Sequence, residues 1–484
     1  MAATAFWSAR RLVSAIRRRK IGAVELLELY LERVATHNPA LNAIVVTDLE
    51  GARGRAKAAD AALARGETWG PLHGLPMTVK ESYDMVGTPT TWGIPRLHDN
   101  YPERNALVVE RFLGAGAVIF GKTNVPIYLA DWQSFNAIYG TTNNPWDLSR
   151  APGGSSGGAA AALAAGLTAL EAGSDIGASI RNPAHYCGVY GHKPTYGVVS
   201  PRGQALPGNV APSDISVVGP MARSAADLDL ALGIMAGPDD IDARGWRLRL
   251  PPARKKALAE FKVALMLDEP SARVDRAVQD RLQALADFLA RRGAKVDDRA
   301  RPDVDTAEAH ALYIKLLRAA TSPRQTDADF ARNQERVQSL SPGDESYLAR
   351  MTRANVLAHR DWLAANQARH RMRLEWAAFF EDYDLLLCPA AASAAFPHDQ
   401  AGERHQRTIL VDGAPVPTTD QLFWAGFSGL VYLPSTVAPI GLTAEGLPVG
   451  VQIVGPQYGD RLCIQFARLI ERDYQGFVPP PDFA

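Results

Sequence analysis

Three short stretches of this chain hold residue types that could do chemistry. Lys80 ends the apolar run Leu75-Pro76-Met77-Thr78-Val79-Lys80. A lysine at the end of a buried strand is fixed by the sheet and poorly solvated. Desolvation disfavours its ammonium form, lowers its pKa and makes the neutral amine available as a general base. The commoner fate of a lone strand-end lysine is to extend its head to solvent. The second stretch is Gly153-Gly154-Ser155-Ser156-Gly157-Gly158, which runs into an alanine-rich segment. Its glycines allow close backbone approach and positive φ, which sets Ser155 or Ser156 in a tight loop before a helix N-terminus. A flexible Gly/Ser linker has the same composition, but strong secondary structure is expected close on both sides. A phosphate-binding P-loop needs a Gly-Lys-Ser/Thr ending, and no lysine follows Gly158. The third stretch is Gly173-Ser174-Asp175-Ile176-Gly177-Ala178-Ser179-Ile180-Arg181. Small residues at 177 and 178 leave the amides before Ser179 uncovered. Consecutive N–H groups in such a turn form a concave site suited to an oxyanion, and a serine at its mouth is a candidate nucleophile. Alone, this stretch also reads as a Gly/Ser turn with a serine N-cap. No Gly-x-Ser-x-Gly elbow surrounds Ser179.

The elements that must position these residues follow from periodicity and punctuation. Residues 5–65 read as an N-terminal arm of helices, with a break at Asn38-Pro39. The run to Lys80 reads as a strand entered through Gly74. Residues 107–121 give a helix, a Gly-Ala-Gly turn and a buried strand. Residues 140–158 are dense in turn formers, the segment Ala159–Ala165 reads as a helix, and Leu167–Gly173 reads as a strand. Helices dominate 275–380, and the part from 300 to 380 is expected to cap one face. Asp384–Cys388 and Val449–Val454 read as buried strands and Leu462–Ile470 as a final helix. This alternation predicts one α/β unit over residues 1–484: a central mixed β-sheet sandwiched by helices, with a helical cap.

Bulk properties exclude several classes. Lys plus Arg equals Asp plus Glu, 52 of each, which argues against nucleic acid or an anionic membrane as the main partner. Apolar residues make up 47% and charged residues 21%, an ordinary globular balance. Cys187, Cys388 and Cys463 are far apart and form no C-x-x-C pair, so neither a zinc site nor a disulfide framework is indicated. His185 and His192, which flank Cys187, read as structural. No apolar run is long enough to span a membrane. Arg10, Arg11, Arg17, Arg18, Arg19 and Lys20 precede the first acidic residue, Glu25. That resembles an organelle transit peptide and equally fits the basic face of a surface helix. The surface helix and a cytoplasmic location are the expectation.

Together the three stretches resemble a known signature. The segment Pro152–Thr195, with Lys80 lying 75 positions before Ser155 and Ser155 lying 24 before Ser179, is similar to the amidase-signature family. The resemblance extends over nearly the whole chain, through GLPMTVKE (74–81), YGTTNNPWD (139–147), VVGPMARSAADL (217–228) and GLPVGVQIVGP (446–456). It implies hydrolysis of a carboxamide-like bond in an amide, aryl amide, carbamate or ester. Ser179 would be the acyl-forming nucleophile, Ser155 a bridging serine entered through a cis peptide bond, and Lys80 the base. The N–H groups of Ile176, Gly177, Ala178 and Ser179 would form the oxyanion hole. The resemblance implies no metal and no cofactor, a small-molecule amide as partner, and, by analogy only, a homodimer. It also implies that Leu129, Ala130 and Trp132 line an acyl pocket of apolar character. One departure is Ala178, where the family usually has glycine. Asp175 and Arg181 are expected to buttress the loop. The alternative is a glutaminase subunit of a tRNA-dependent amidotransferase, for which Asp420 could grip the free ends of glutamine. The arginine-rich block usual in the cap region of such subunits is not found.

Overall fold

The computed structural model describes residues 2–484. Its frame is an eight-stranded mixed sheet. In spatial order the strands are Lys295–Asp297, Lys262–Leu265, Leu385–Pro389, Pro448–Val454, Ser435–Leu442, Tyr190–Lys193, Val217–Ala222 and Glu171–Asp175. The first three are mutually parallel and the remaining pairings are antiparallel. Central strands such as Leu385–Pro389 and Pro448–Val454 are buried at every residue, which explains why Gln452 is their one polar side chain. Helices Ala225–Met235, Arg276–Arg291 and Asp460–Asp473 pack on this sheet, as do Gly157–Ala164 and Arg181–Cys187. In Asp460–Asp473, Cys463, Ile464, Phe466, Ala467, Leu469 and Ile470 form the buried face, the 3.6-residue stripe expected of a helix covering a sheet. The chain is thus α/β, with a mixed sheet layered by helices.

A second, three-stranded sheet carries Lys80. Val118–Thr123 lies at its centre, parallel to Pro76–Lys80 and antiparallel to Ile44–Thr47. This sheet meets the large one where Pro76–Lys80 packs beside Glu171–Asp175.

Several local expectations need correction. The N-terminal region is not helical throughout. The β-branched run Ile44-Val45-Val46-Thr47 forms a strand between helices Ala23–Leu41 and Leu49–Ala64. The break expected at Asn38-Pro39 is absent, and the helix runs on to Leu41 with Pro39 in its last turn. The Asn38 side-chain oxygen accepts the N–H groups of Ala43 and Ile44, so this residue stabilises the helix exit. The strand expected at Leu167–Gly173 begins only at Glu171 and runs to Asp175. Residues before it form a turn pinned by the Thr168 hydroxyl, which accepts the N–H of Thr78 and donates to the Leu170 carbonyl.

The basic N-terminal cluster lies on the exposed side of helix Ala9–Arg17 and the turn after it, opposite buried Leu12, Val13 and Ile16. Residues 306–382 are mostly helical: Thr306–Thr321, Asp327–Ser339, Tyr347–Asn355 and His359–Asp382. Asp305 and Thr326 cap the first two of these. Thr306–Thr321 packs on Leu422–Gly429 and brings its C-terminal end to the site described next. Among the described residues, no helix is long and apolar enough to cross a membrane.

Candidate active site

Lys80 closes its strand with a side chain that is 0% exposed. Its Nζ lies 2.7 Å from Ser155 Oγ, 2.9 Å from Ser156 Oγ and 3.0 Å from Ser174 Oγ. The snorkelling alternative is therefore not realised. Burial pushes its pKa down to about 7, against the pull of Asp175 and Glu171, and Arg324 lowers it further. Burial also drives the Glu171 carboxyl up, to about 8, which weakens its pull on the lysine and leaves Asp175 as the ionised carboxylate acting on it. A neutral amine has two N–H donors and one lone pair. Three hydroxyls around it require at least one of them to donate to nitrogen, which is the arrangement a general base needs.

The Gly/Ser loop reaches this lysine because the helix behind it is made of the smallest residues. Gly157–Ala164 is buried at every position. At Gly158 a Cβ would lie 2.4 Å from the backbone nitrogen of Asn124, so only glycine permits this approach. The Gly154–Ser155 peptide bond is cis. The Ser156 N–H donates to the carbonyl of Ser179 at 3.1 Å, which joins the second and third stretches directly.

Ser179 sits in the turn after strand Glu171–Asp175, 5% exposed, on the wall of a cavity of about 320 Å³. Its hydroxyl makes no hydrogen bond to the described residues and faces that cavity. The turn is organised by Asp175. One carboxylate oxygen accepts the N–H of Ala178 at 3.0 Å and the other that of Ile180 at 3.1 Å. Arg181 pairs with both oxygens at 2.9 and 3.0 Å. Burial raises the Asp175 pKa, but the Arg181 charge outweighs this and holds it below the usual carboxylate range. Two further bonds hold the turn from outside. Trp132 Nε1 donates to the Gly177 carbonyl and the Tyr313 hydroxyl to that of Ile176, each at 2.8 Å. The N–H groups of Ile176, Gly177 and Ser179 find no acceptor among the described residues, whereas that of Ala178 is already engaged by Asp175. The four amides proposed from sequence are therefore not equivalent.

The structure brings Lys80, Ser155 and Ser179 together, and it places Leu129, Ala130 and Trp132 on the wall of the Ser179 cavity. That cavity is not apolar throughout. Arg318, Arg324 and Arg404 line it as well, which the apolar expectation missed. Asp420 is not among its lining residues. Burial pushes the Asp420 carboxyl up to about 6. Sequence reasoning gave no role to Ser156 or Ser174, although both stood inside the chosen motifs. It also missed Gln204, whose Nε2 donates to Ser174 Oγ and Ser82 Oγ, both at 3.1 Å, and Tyr313, which no local signal distinguishes. His185 is held between the Ser393 carbonyl and the backbone of Gly450, and Cys187 donates to the Pro152 carbonyl at 3.4 Å. Both are structural.

Comparison with known proteins identifies the family. The family model described as Amidase matches residues 25–464. The chain is 34% identical over 472 residues to an indoleacetamide hydrolase of Bradyrhizobium diazoefficiens, covering 96% of this chain and 86% of that protein. It is 32% identical over 491 residues to a glutamyl-tRNA(Gln) amidotransferase subunit of Synechococcus sp., covering 96% of each. The crystal structure of a bacterial aryl acylamidase of the amidase signature family superposes with a TM-score of 0.81 at 25% identity, over 96% of each chain. The chain belongs to the amidase family and is an amidase-signature hydrolase of amide bonds.

Proposed function

We propose that the chain hydrolyses a small carboxamide through an acyl-serine intermediate on Ser179, with Lys80 as the base and Ser155 as the relay. The observation that carries this reading is the fully buried Lys80 amine, 2.7 Å from Ser155 Oγ and tuned to about 7, beside a serine whose hydroxyl is free and faces the cavity. In the first half-reaction Ser179 Oγ bonds to the substrate carbonyl carbon. Its proton passes to Ser155 Oγ as the Ser155 proton passes to Lys80 Nζ. The resting structure shows no hydrogen bond between the two serine hydroxyls, and the relay requires that contact to form in the substrate complex. The oxyanion lies against the N–H groups of Ile176, Gly177 and Ser179, with that of Ala178 shared with Asp175. The proton returns through Ser155 to the leaving nitrogen, and the C–N bond breaks. Water then attacks the acyl-enzyme by the same relay and releases the acid.

Leu129, Ala130 and Trp132 form the pocket wall beside the acyl group, and the end of helix Thr306–Thr321 lines the same cavity. The likeness to an indoleacetamide hydrolase and an aryl acylamidase favours an arylalkyl or aryl amide. The test is amine release from phenylacetamide and an acyl-p-nitroanilide, with EDTA present throughout. Turnover that resists EDTA and is lost in Ser179→Ala and Lys80→Ala supports the reading, and turnover retained in Ser179→Ala rejects it.

One observation favours a second reading. Relatives that bear the glutamyl-tRNA(Gln) amidotransferase name align over nearly the full chain at 32–33% identity. Under that reading L-glutamine is hydrolysed in preference to both amides above.

A further inference from the structure

Three arginines converge on the Ser179 cavity from separate parts of the fold. Arg318 comes from helix Thr306–Thr321, Arg324 from the turn that follows it, and Arg404 from the turn Arg404–Gln406. Arg318 and Arg404 are close neighbours, because the guanidiniums of both donate to one acceptor, the Tyr347 hydroxyl, Arg404 from 3.3 Å. Arg324 donates to the Tyr128 carbonyl at 2.8 Å. The remaining packing is against π-faces: Arg318 lies 5.4 Å over the Tyr347 ring, Arg404 5.4 Å over Trp132 and Arg324 5.7 Å over Trp92.

No carboxylate forms an ion pair with these charges, and the one that acts on them, Asp131 on Arg404, does so from a distance. None of the three forms an ion pair with a described residue, and the buried Nε of Arg318 has no hydrogen-bond partner at all. Two carboxylates do line the cavity, but both are engaged elsewhere. Asp131 pairs with Arg407 at 2.7 Å. Asp329 is half-exposed at the rim, where it pairs with Arg332 and accepts from the Thr326 hydroxyl at 2.6 Å. Burial and mutual repulsion push Arg318 down to about 9, and burial pushes Arg324 down to about 10. Desolvated like charges held side by side with an orphaned donor are costly unless a counter-ion joins them. A planar carboxylate fits two adjacent guanidiniums better than any neutral group.

We propose that the amide hydrolysed here carries a carboxylate, bound between Arg318 and Arg404 with Arg324 beside it. This rests on the reading of the Ser179 cavity as the active site. The recognised chemistry is an amide and a carboxylate in one small molecule. The carboxylate belongs either to the acyl part, as in a dicarboxylic acid monoamide, or to the leaving amine, as in an N-acylated amino acid.

The experiment compares kcat/KM within pairs that differ only in a carboxylate against a carboxamide. Adipamate against adipamide and 4-carbamoylbenzoate against terephthalamide place the charge on the acyl side. N-acetyl-4-aminobenzoate against 4-acetamidobenzamide places it on the amine. The carboxylate member of at least one pair is expected to be favoured by about 10-fold or more, the scale of a charge-assisted hydrogen bond. In Arg318→Gln and Arg404→Gln that ratio should fall towards one. A ratio of one or less in all pairs overturns the inference, as does a ratio that neither substitution moves. If no member of any pair is hydrolysed, the proposed amidase activity on small substrates fails separately. The anion site is then read by titration calorimetry of the intact wild-type protein with adipamate and adipamide. Tighter binding of adipamate that is lost in Arg318→Gln supports the site, and equal or absent binding of the two overturns it.

Discussion

The pKa of Lys80 should appear directly in the pH profile of kcat/KM. The relay needs the neutral amine, and an ordinary lysine at 10.5 would offer it in only about 1 molecule in 3,000 at pH 7. Burial beneath Ser155, Ser156 and Ser174 lowers the value to about 7, so about half of the enzyme is competent at that pH. Activity should therefore rise with pH along a single limb. It should reach about a tenth of the plateau at pH 6 and about a hundredth at pH 5, and level off by about pH 8. The assay is kcat/KM for a non-titrating anilide from pH 5 to pH 10, with each sample returned to pH 8 to confirm reversibility. Since kcat/KM reports the free enzyme, the midpoint belongs to the resting site. A flat profile would refute a titrating lysine base. A limb still climbing beyond pH 10 would refute the desolvation argument, because it would leave Lys80 with its ordinary pKa.

Other consequences concern the loops. Asp175→Asn leaves the buried Arg181 charge without its partner and should destabilise the fold by about 3–5 kcal/mol, read by urea denaturation. Gly158→Ala forces a Cβ to within 2.4 Å of the Asn124 nitrogen, whereas at Gly177 the nearest atom lies at 3.6 Å. The first should cost about 3 kcal/mol or more and the second about 1 kcal/mol or less, compared by thermal denaturation. Ala178 holds φ at +69°, a region that costs a non-glycine residue about 1–2 kcal/mol. In Ala178→Gly that relief is offset by chain entropy and a lost buried methyl, so stability should change by less than about 1 kcal/mol. Ala178→Val, β-branched in the same conformation, should cost about 2 kcal/mol or more. Among the described residues no group of three His, Cys, Asp or Glu side chains is placed to hold a metal. The proposed relay draws only on Lys80, Ser155 and Ser179, so activity should survive dialysis against EDTA.

The sequence carried much of the site, because the relevant signals were local. Lys80 stood at the end of a short apolar run, and the two serine loops were marked by glycines, of which Gly158 is required by the backbone approach at Asn124. The α/β order was equally legible in long periodic segments. The misses share a different cause. Arg318, Arg324 and Arg404 belong to charge-rich stretches that read as solvated surface, and only folding shows that they turn inward to one cavity. Ser174 and Gln204 act through a contact across 30 positions, which no motif encodes. The strand at Ile44–Thr47 was hidden because four residues are too few for periodicity to outweigh the helices on either side. Ala178 was recognised as a departure from glycine, but its cost became visible only with its left-handed backbone and with Asp175 bound to its N–H.

The central claim is the covalent bond to Ser179. The most direct test is to quench turnover of a slowly deacylating p-nitrophenyl ester and map the adduct by intact mass and peptide sequencing. One acyl group per chain is expected on the peptide containing Ser179, absent in Ser179→Ala and formed far more slowly in Lys80→Ala. An acyl group on Ser155 or Ser156 instead, or undiminished turnover in Ser179→Ala, would contradict it.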